Sequence, residues 1–210
     1  MRLTDIFKRL FSKQSLVLKN SSSKPDAAAS VRETTTAPAF VRVLFVCTAN
    51  ICRSAMSEAL LKSILQREGA STKILVESAG IEALDGMNPD PYTVEVCRAH
   101  GVDITAHTAR QLTDDMIRNA SFVLCLAENH KKLILSAHPE AEAKTFLLKE
   151  LLLPEPLDDG SIEDPTGQSP KKYEACFAQV QKEITRIAPS LIRRALRLEW
   201  EGRRKRPRST

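Results

Sequence analysis

The stretch Val43-Leu-Phe-Val-Cys47-Thr-Ala-Asn-Ile-Cys52-Arg53-Ser54 decides the reading of the chain, because it runs an apolar strand through a short loop into a helix. Val43 to Val46 are apolar without alternation, the pattern of a parallel strand covered on both faces. From Ser54 onward, helix formers carry Met56, Leu60, Leu61, Ile64 and Leu65 at helical spacing. A loop closing on a helix start leaves several backbone N–H groups unpaired, and with the helix dipole these bind an oxyanion. Cys47 opens the loop and Arg53 closes it. Dipole and arginine charge both favour thiolate over thiol, which makes Cys47 a nucleophile. Arg53 presents a planar fork that matches two phosphoryl oxygens, and Ser54 beside it can donate its hydroxyl proton to the thiolate. The competing reading is a core cysteine next to a surface arginine. The Cys-x5-Arg spacing is weak by itself; its position between strand and helix start, repeated at no other cysteine, gives it weight.

Outward from this stretch, strands alternate with helices. Lys73-Ile-Leu-Val-Glu77 predicts a second strand that delivers Ser78-Ala-Gly80 to the same end as Cys47 in a parallel sheet. Residues 91–100, 113–119 and 127–137 suit helices, and 121–126 and 144–148 a third and a fourth strand. The expected fold is α/β, a small doubly wound four-stranded parallel sheet with helices on both faces. Residues 154–170, rich in Pro, Asp and Gly, predict an exposed loop carrying Asp164. A long closing helix follows over 171–198, bent at Pro189, with Tyr173, Phe177, Val180, Ile184 and Ile187 turned toward the sheet.

The 210 residues, 42% of them hydrophobic, suffice for one core, and no repeat or membrane-spanning apolar run is present. The net charge of +5 is uneven. Residues 1–40 hold seven Lys/Arg against three Asp/Glu and residues 193–210 eight against two, so basic tails flank an acidic middle. Residues 1–19 place Ile6, Phe7, Leu10 and Phe11 on one helical face among Arg2, Lys8, Arg9 and Lys13, suiting an anionic membrane surface, a partner groove or packing on the domain, with a disordered segment as the further alternative. Residues 20–39 read as a flexible linker of Ser, Thr, Ala and Pro. The expected organisation is a basic N-terminal extension over 1–39, a catalytic domain over 40–198 and a basic tail over 199–210. The C-terminal tail reads first as a solvated segment that aids solubility; the alternative for both tails is weak contact with a membrane surface or an acidic partner, with no specific nucleic acid expected. Five cysteines without a secretory signal read as reduced thiols in the cytoplasm, and Cys97, Cys125 and Cys176 as packing residues. His100, His130 and His138 read as surface residues, and no metal-ligand spacing is present.

The loop Cys47-Thr-Ala-Asn-Ile-Cys-Arg-Ser54 resembles the signature of the low-molecular-weight protein tyrosine phosphatases, a family that includes phosphoarginine phosphatases and thioredoxin-coupled arsenate reductases. Ser78-Ala-Gly80, Asp90-Pro91, the segment His100 to Leu112, and Ile162-Glu-Asp164-Pro165 follow in the family's order. The resemblance implies a flavodoxin-like strand order with Cys47 at the switch point, and a phosphatase of phosphorylated proteins that needs no cofactor. It assigns Cys47 as nucleophile, Arg53 and the backbone N–H groups of Thr48, Ala49, Asn50, Ile51, Cys52, Arg53 and Ser54 as the phosphate cradle, and Asp164 as general acid. Asp90-Pro91 has the same local form as Asp164-Pro165, and only family position separates them. The resemblance further implies that His107, by default a surface residue, holds Asn50 in a network with Ser54 and Ser78, and that Cys52 forms a reversible disulfide with Cys47.

Departures from the family pattern bear on substrate. Thr166 and Gly167 stand where aromatics usually wall the cleft, Leu84 stands near a usual tryptophan, and Ala127 replaces an acid after the third strand. Ile51, by contrast, is the apolar residue typical of the tyrosine-specific branch. The reading is phosphotyrosine, with phosphoarginine as the alternative. Arsenate reduction is set aside because Cys125 has no cysteine seven residues away on either side. A phosphoprotein-binding module without turnover is the remaining alternative.

Overall fold

The computed structural model describes residues 40–155 and 157–204; the readings made for residues 1–39 and for the end of the basic tail lie outside them. The strands are β1 (Val41–Cys47), β2 (Ile74–Gly80), β3 (Phe122–Cys125) and β4 (Thr145–Leu147). They form one parallel sheet in the order β2-β1-β3-β4, with β1 central. The helices are α1 (Arg53–Arg67), α2 (Pro91–Ala99), α3 (Asp114–Asn119), α4 (Glu128–Ala137) and α5 (Pro170–Arg204).

The unbroken apolar run from Val43 to Cys47 in β1 has a direct physical cause. Val41, Val43, Phe45 and Cys47 pack on one face with Met56, Leu60, Leu61 and Leu65 of α1 and with Phe177, Val180, Ile184 and Ile187 of α5. Leu44 and Val46 face the other way, onto Ile117 of α3 and Ile134 of α4. Helices therefore cover both faces, giving the doubly wound, flavodoxin-like arrangement. The strand order reverses at β1, the place where such sheets bind ligands beyond the carboxyl ends of their strands.

Two elements run longer than the sequence suggests. β2 continues three residues past Glu77 because Ser78, Ala79 and Gly80 still pair with Phe45, Val46 and Cys47. α5 continues past Leu198 to Arg204, its last turns held by the Lys73–Glu199 ion pair and by Arg197 donating to Glu201. α5 also packs chiefly on α1 and touches the sheet less, so its apolar stripe faces a helix more than the strands. Cys97, Cys125 and Cys176 are buried. Burial raises the pKa of Cys97 and Cys176 to about 12 and that of Cys125 further still, so all three stay inert neutral thiols. Among the described residues no helix is long and apolar enough to cross a membrane.

Candidate active site

The loop of residues 48–52 lies between the end of β1 and the start of α1. Cys52 is the N-cap of α1 but makes no capping hydrogen bond through its side chain, so first-turn N–H groups remain available to an anion. Cys47 Sγ is met at 2.9 Å by Ser54 Oγ and at 3.3 Å by the backbone N–H of Asn50.

Asn50 builds the loop's interior. Its φ of 58° is the left-handed conformation, which costs a non-glycine residue roughly 1–2 kcal/mol and which asparagine tolerates best. The side chain is fully buried, and its Nδ2 donates to Ser54 Oγ and to Ser78 Oγ, both at 2.8 Å. Its Oδ1 accepts from the N–H of Arg110 at 3.0 Å, which fixes the amide's orientation. Three such bonds, each worth about 1 kcal/mol, offset the backbone cost. His107 Nε2 meets the Asn50 carbonyl oxygen at 2.7 Å. The hydroxyl directions follow from this network. Ser78 donates to Glu58 Oε2 at 2.5 Å and Ser54 accepts from Asn50, which leaves the Ser54 hydrogen for Cys47 Sγ.

Gly80 lets β2 approach this loop. A Cβ there would stand 2.5 Å from the Thr48 carbonyl oxygen and 2.9 Å from the Ala49 carbonyl carbon, both rigid backbone atoms. Gly80→Ala is expected to destabilise the protein by about 2–3 kcal/mol through overpacking. It should also lower turnover by roughly a hundredfold by shifting the loop about 1 Å. Urea midpoints and kcat check both; an alanine variant with parental turnover would show that the loop yields freely.

Arg53 is buried at 4% exposure. Its Nη1 donates to the Ile162 carbonyl oxygen at 3.2 Å, and its Nη2 donates to Thr48 Oγ1 at 3.4 Å and pairs with Asp164 Oδ2. Its Nε is buried without a partner among the described residues, a spare donor for an oxyanion. Asp164 reaches this position because the N–H of Ile162 donates to the Leu126 carbonyl oxygen beyond β3, fastening the loop beside the site. Asp164 Oδ1 accepts from the N–H and the hydroxyl of Thr166. Asp90, its sequence twin, caps α2 instead, accepting from the N–H groups of Tyr92 and Thr93 ahead of Pro91 at the first helical position. Cys52 is buried against Thr166 Oγ1 at 3.5 Å, and burial first of all pushes its thiol up to about 11. Cys47 and Cys52 are both free thiols.

One site neighbour contradicts the sequence reading. His130 is not a surface residue: it is fully buried in the first turn of α4, with Nε2 3.1 Å from Thr48 Oγ1. Leu133, Ile134 and Ala137 continue its helical face, and that apolar spacing was the available signal. His100 and His138 keep part of their surface exposed. Ala127 gives α4 no cap, and Ser161 substitutes, its Oγ accepting from the N–H of Glu128 at 3.0 Å. Among the described residues no group of three or more His, Cys, Asp or Glu is placed to hold a metal ion.

A buried sulfur met by the Ser54 hydroxyl and the Asn50 N–H, an uncapped helix start, a guanidinium and an adjacent carboxylate can together hold a phosphoryl group and exchange its ester. The sequence profile described as "Low molecular weight phosphotyrosine protein phosphatase" matches residues 42–197. The chain is 37% identical over 149 residues to the probable low molecular weight protein-tyrosine-phosphatase EpsP of Ralstonia solanacearum, covering 71% of this chain and 94% of the relative. It is equally 37% identical over 150 residues to a protein-arginine-phosphatase of Geobacillus stearothermophilus, covering 71% and 95%. Among solved structures, the YwlE arginine phosphatase from Geobacillus stearothermophilus superposes with a TM-score of 0.67 at 36% identity, covering 75% of this chain and 96% of that one. The tyrosine phosphatase Wzb from Escherichia coli K30 in complex with sulphate gives 0.63 at 28% identity, covering 72% and 99%. On the profile match and these identities, the chain belongs to the low-molecular-weight protein-tyrosine-phosphatase family of cysteine-dependent phosphatases.

Proposed function

We propose that this protein hydrolyses phosphotyrosine in cytoplasmic phosphoproteins through a phosphocysteine intermediate, with residues 40–198 as the catalytic unit. The observation that carries the substrate choice is the apolar rim of the loop. Ile51 is partly exposed beside the segment 81–90, which is tied to the loop by Glu82 N–H donating to the Thr48 carbonyl oxygen and Asp90 N–H donating to that of Ile51. That segment exposes Leu84 and Met87, and Tyr92 follows it. These side chains offer a phenyl ring apolar contact in place of the usual aromatic walls.

In the first step Cys47 Sγ attacks phosphorus as the bond to the tyrosine oxygen breaks, and Asp164 gives that oxygen its proton. The loop N–H groups and Arg53 hold the equatorial oxygens. In the second step Asp164 takes a proton from water as the water oxygen attacks phosphorus. The S–P bond breaks, releasing phosphate and the thiolate. In the resting protein Asp164 Oδ2 is paired with Arg53. A phosphoryl group competing for the guanidinium frees that oxygen, which takes up from solvent the proton it then gives to the leaving oxygen. Basic residues of segments 1–39 and 199–210 would add weak contacts to a membrane surface or an acidic partner.

A protein-arginine phosphatase is the second reading, favoured by Thr166 and Gly167 after Asp164, which give a ring nothing to stack on. Phosphate release from matched phosphotyrosine and phosphoarginine peptides separates the two. Faster tyrosine turnover, reduced about 10²–10³-fold by Asp164→Ala, is the expected result. Faster phosphoarginine turnover would overturn the substrate choice, and phosphopeptide capture without release of phosphate from either would leave a binding module.

A further inference from the structure

We propose that His130 is a positioning residue of the phosphate loop, its neutral imidazole fixing the Thr48 hydroxyl and, through it, the guanidinium of Arg53. The inference rests on the reading that this loop binds a phosphoryl group. Thr48 Oγ1 stands between the two groups, 3.1 Å from His130 Nε2 and 3.4 Å from Arg53 Nη2. His130 reaches it from the rigid first turn of α4, where the residue is fully buried and its N–H donates to the Ala127 carbonyl oxygen.

The hydrogen-bond inventory sets the direction of the contact. His130 Nδ1 is buried and has no partner among the described residues. A buried N–H without an acceptor is rarer than an acceptor left bare, so the proton is assigned to Nε2, and His130 donates to Thr48. Arg53 donates to the same oxygen, so both of its lone pairs are occupied, and the Thr48 hydrogen is spared for another acceptor. Burial first and the Arg53 charge second, opposed by Asp164, push the imidazole down to about 4. It is therefore neutral at neutral pH and brings no second cation against Arg53. Arg53 has few alternative anchors: the Ile162 carbonyl oxygen holds Nη1, while Asp164 has to leave Nη2 during the proposed reaction. Thr48 is the contact that can persist throughout.

The test uses His130→Leu, His130→Gln, Thr48→Val and the double variant Thr48→Val/His130→Leu. The readouts are kcat and KM on p-nitrophenyl phosphate, the inhibition constant of inorganic phosphate, and the melting temperature. Leucine fills the space without a donor and is expected to lower kcat about tenfold, with KM changing less. Glutamine, whose Nε2 can stand where the imidazole Nε2 stands, should remain within about threefold of the parent. In the Thr48→Val background the leucine change should cost less than about twofold more, since contacts that act as a unit are not additive. Glutamine as impaired as leucine, or additive losses in the double variant, would overturn the proposal. If leucine prevents folding, His130→Asn replaces it: its shorter amide cannot reach Thr48, so loss with asparagine and rescue by glutamine supports the role, and equal losses refute it. A parent that binds phosphate without turnover, with binding weakened in His130→Leu but not in His130→Gln, would sink the proposed reaction and leave the positioning role standing. A parent that neither binds nor turns over would remove both.

Discussion

Cys47→Ser is expected to lower kcat by about four orders of magnitude or more while phosphate still binds. The expectation follows from what surrounds the sulfur. Ser54 Oγ and the N–H of Asn50 are its hydrogen-bond partners, and both donate. The two histidines that touch the loop face elsewhere, His107 to the Asn50 carbonyl oxygen and His130 to Thr48. Among the described residues no base is in contact with the Cys47 sulfur, in contrast to sites where a histidine takes the proton of a serine as it attacks. Without a base in contact, a thiol, intrinsically more acidic and more nucleophilic than an alcohol, can serve where a hydroxyl cannot. Serine preserves the shape of the loop and both hydrogen bonds, so the melting temperature and the affinity for inorganic phosphate should change little. Rapid-quench measurement on an aryl phosphate would show a phosphoenzyme burst in the parent and none in the variant. Turnover by Cys47→Ser within about a hundredfold of the parent would mean that the sulfur is not the nucleophile.

The parts of the fold that were legible in the sequence are those where one local pattern decides the outcome. β1 is apolar from Val43 to Cys47 because it is the central strand with helices on both faces, and the loop after it is short because α1 starts at once. Asp164 and Asp90 show the limit. Both precede proline, and their local sequences do not separate a helix cap from a carboxylate at the arginine. The difference lies in the bond from Ile162 to Leu126, a contact between segments 36 residues apart. His130 shows the opposite failure. A histidine among Glu, Asn and two lysines reads as solvent-facing, yet helical spacing turns it inward with Ile134. The reach of α5 past Leu198 was hidden for the same reason as Asp164, because its end is set by Lys73 at the start of the second βα unit.

The second large effect concerns Arg53, and it separates charge from geometry. Arg53→Lys keeps a cation in place but is expected to lower kcat by roughly a thousandfold, because one ammonium cannot replace a fork. The guanidinium serves three partners at once: the Ile162 carbonyl oxygen, Thr48 Oγ1 and Asp164 Oδ2. It keeps Nε–H in reserve. A lysine Nζ would choose among these, and Asp164, the one anion, would win. The substituted lysine would then pin the carboxylate proposed as proton donor while leaving the equatorial phosphoryl oxygens without the bidentate donor proposed for them. The fold should survive, since the buried charge remains paired and β1 and α1 are untouched. The loss should fall on kcat more than on KM, because the fork matches the transition state better than the ground state. Arg53→Gln supplies the comparison: it removes the charge but keeps one planar amide, and a variant more active than Arg53→Lys would show that planarity outweighs charge at this position. Retention of activity within about tenfold by Arg53→Lys would show that a point charge suffices and that the loop's N–H groups alone orient the phosphoryl group.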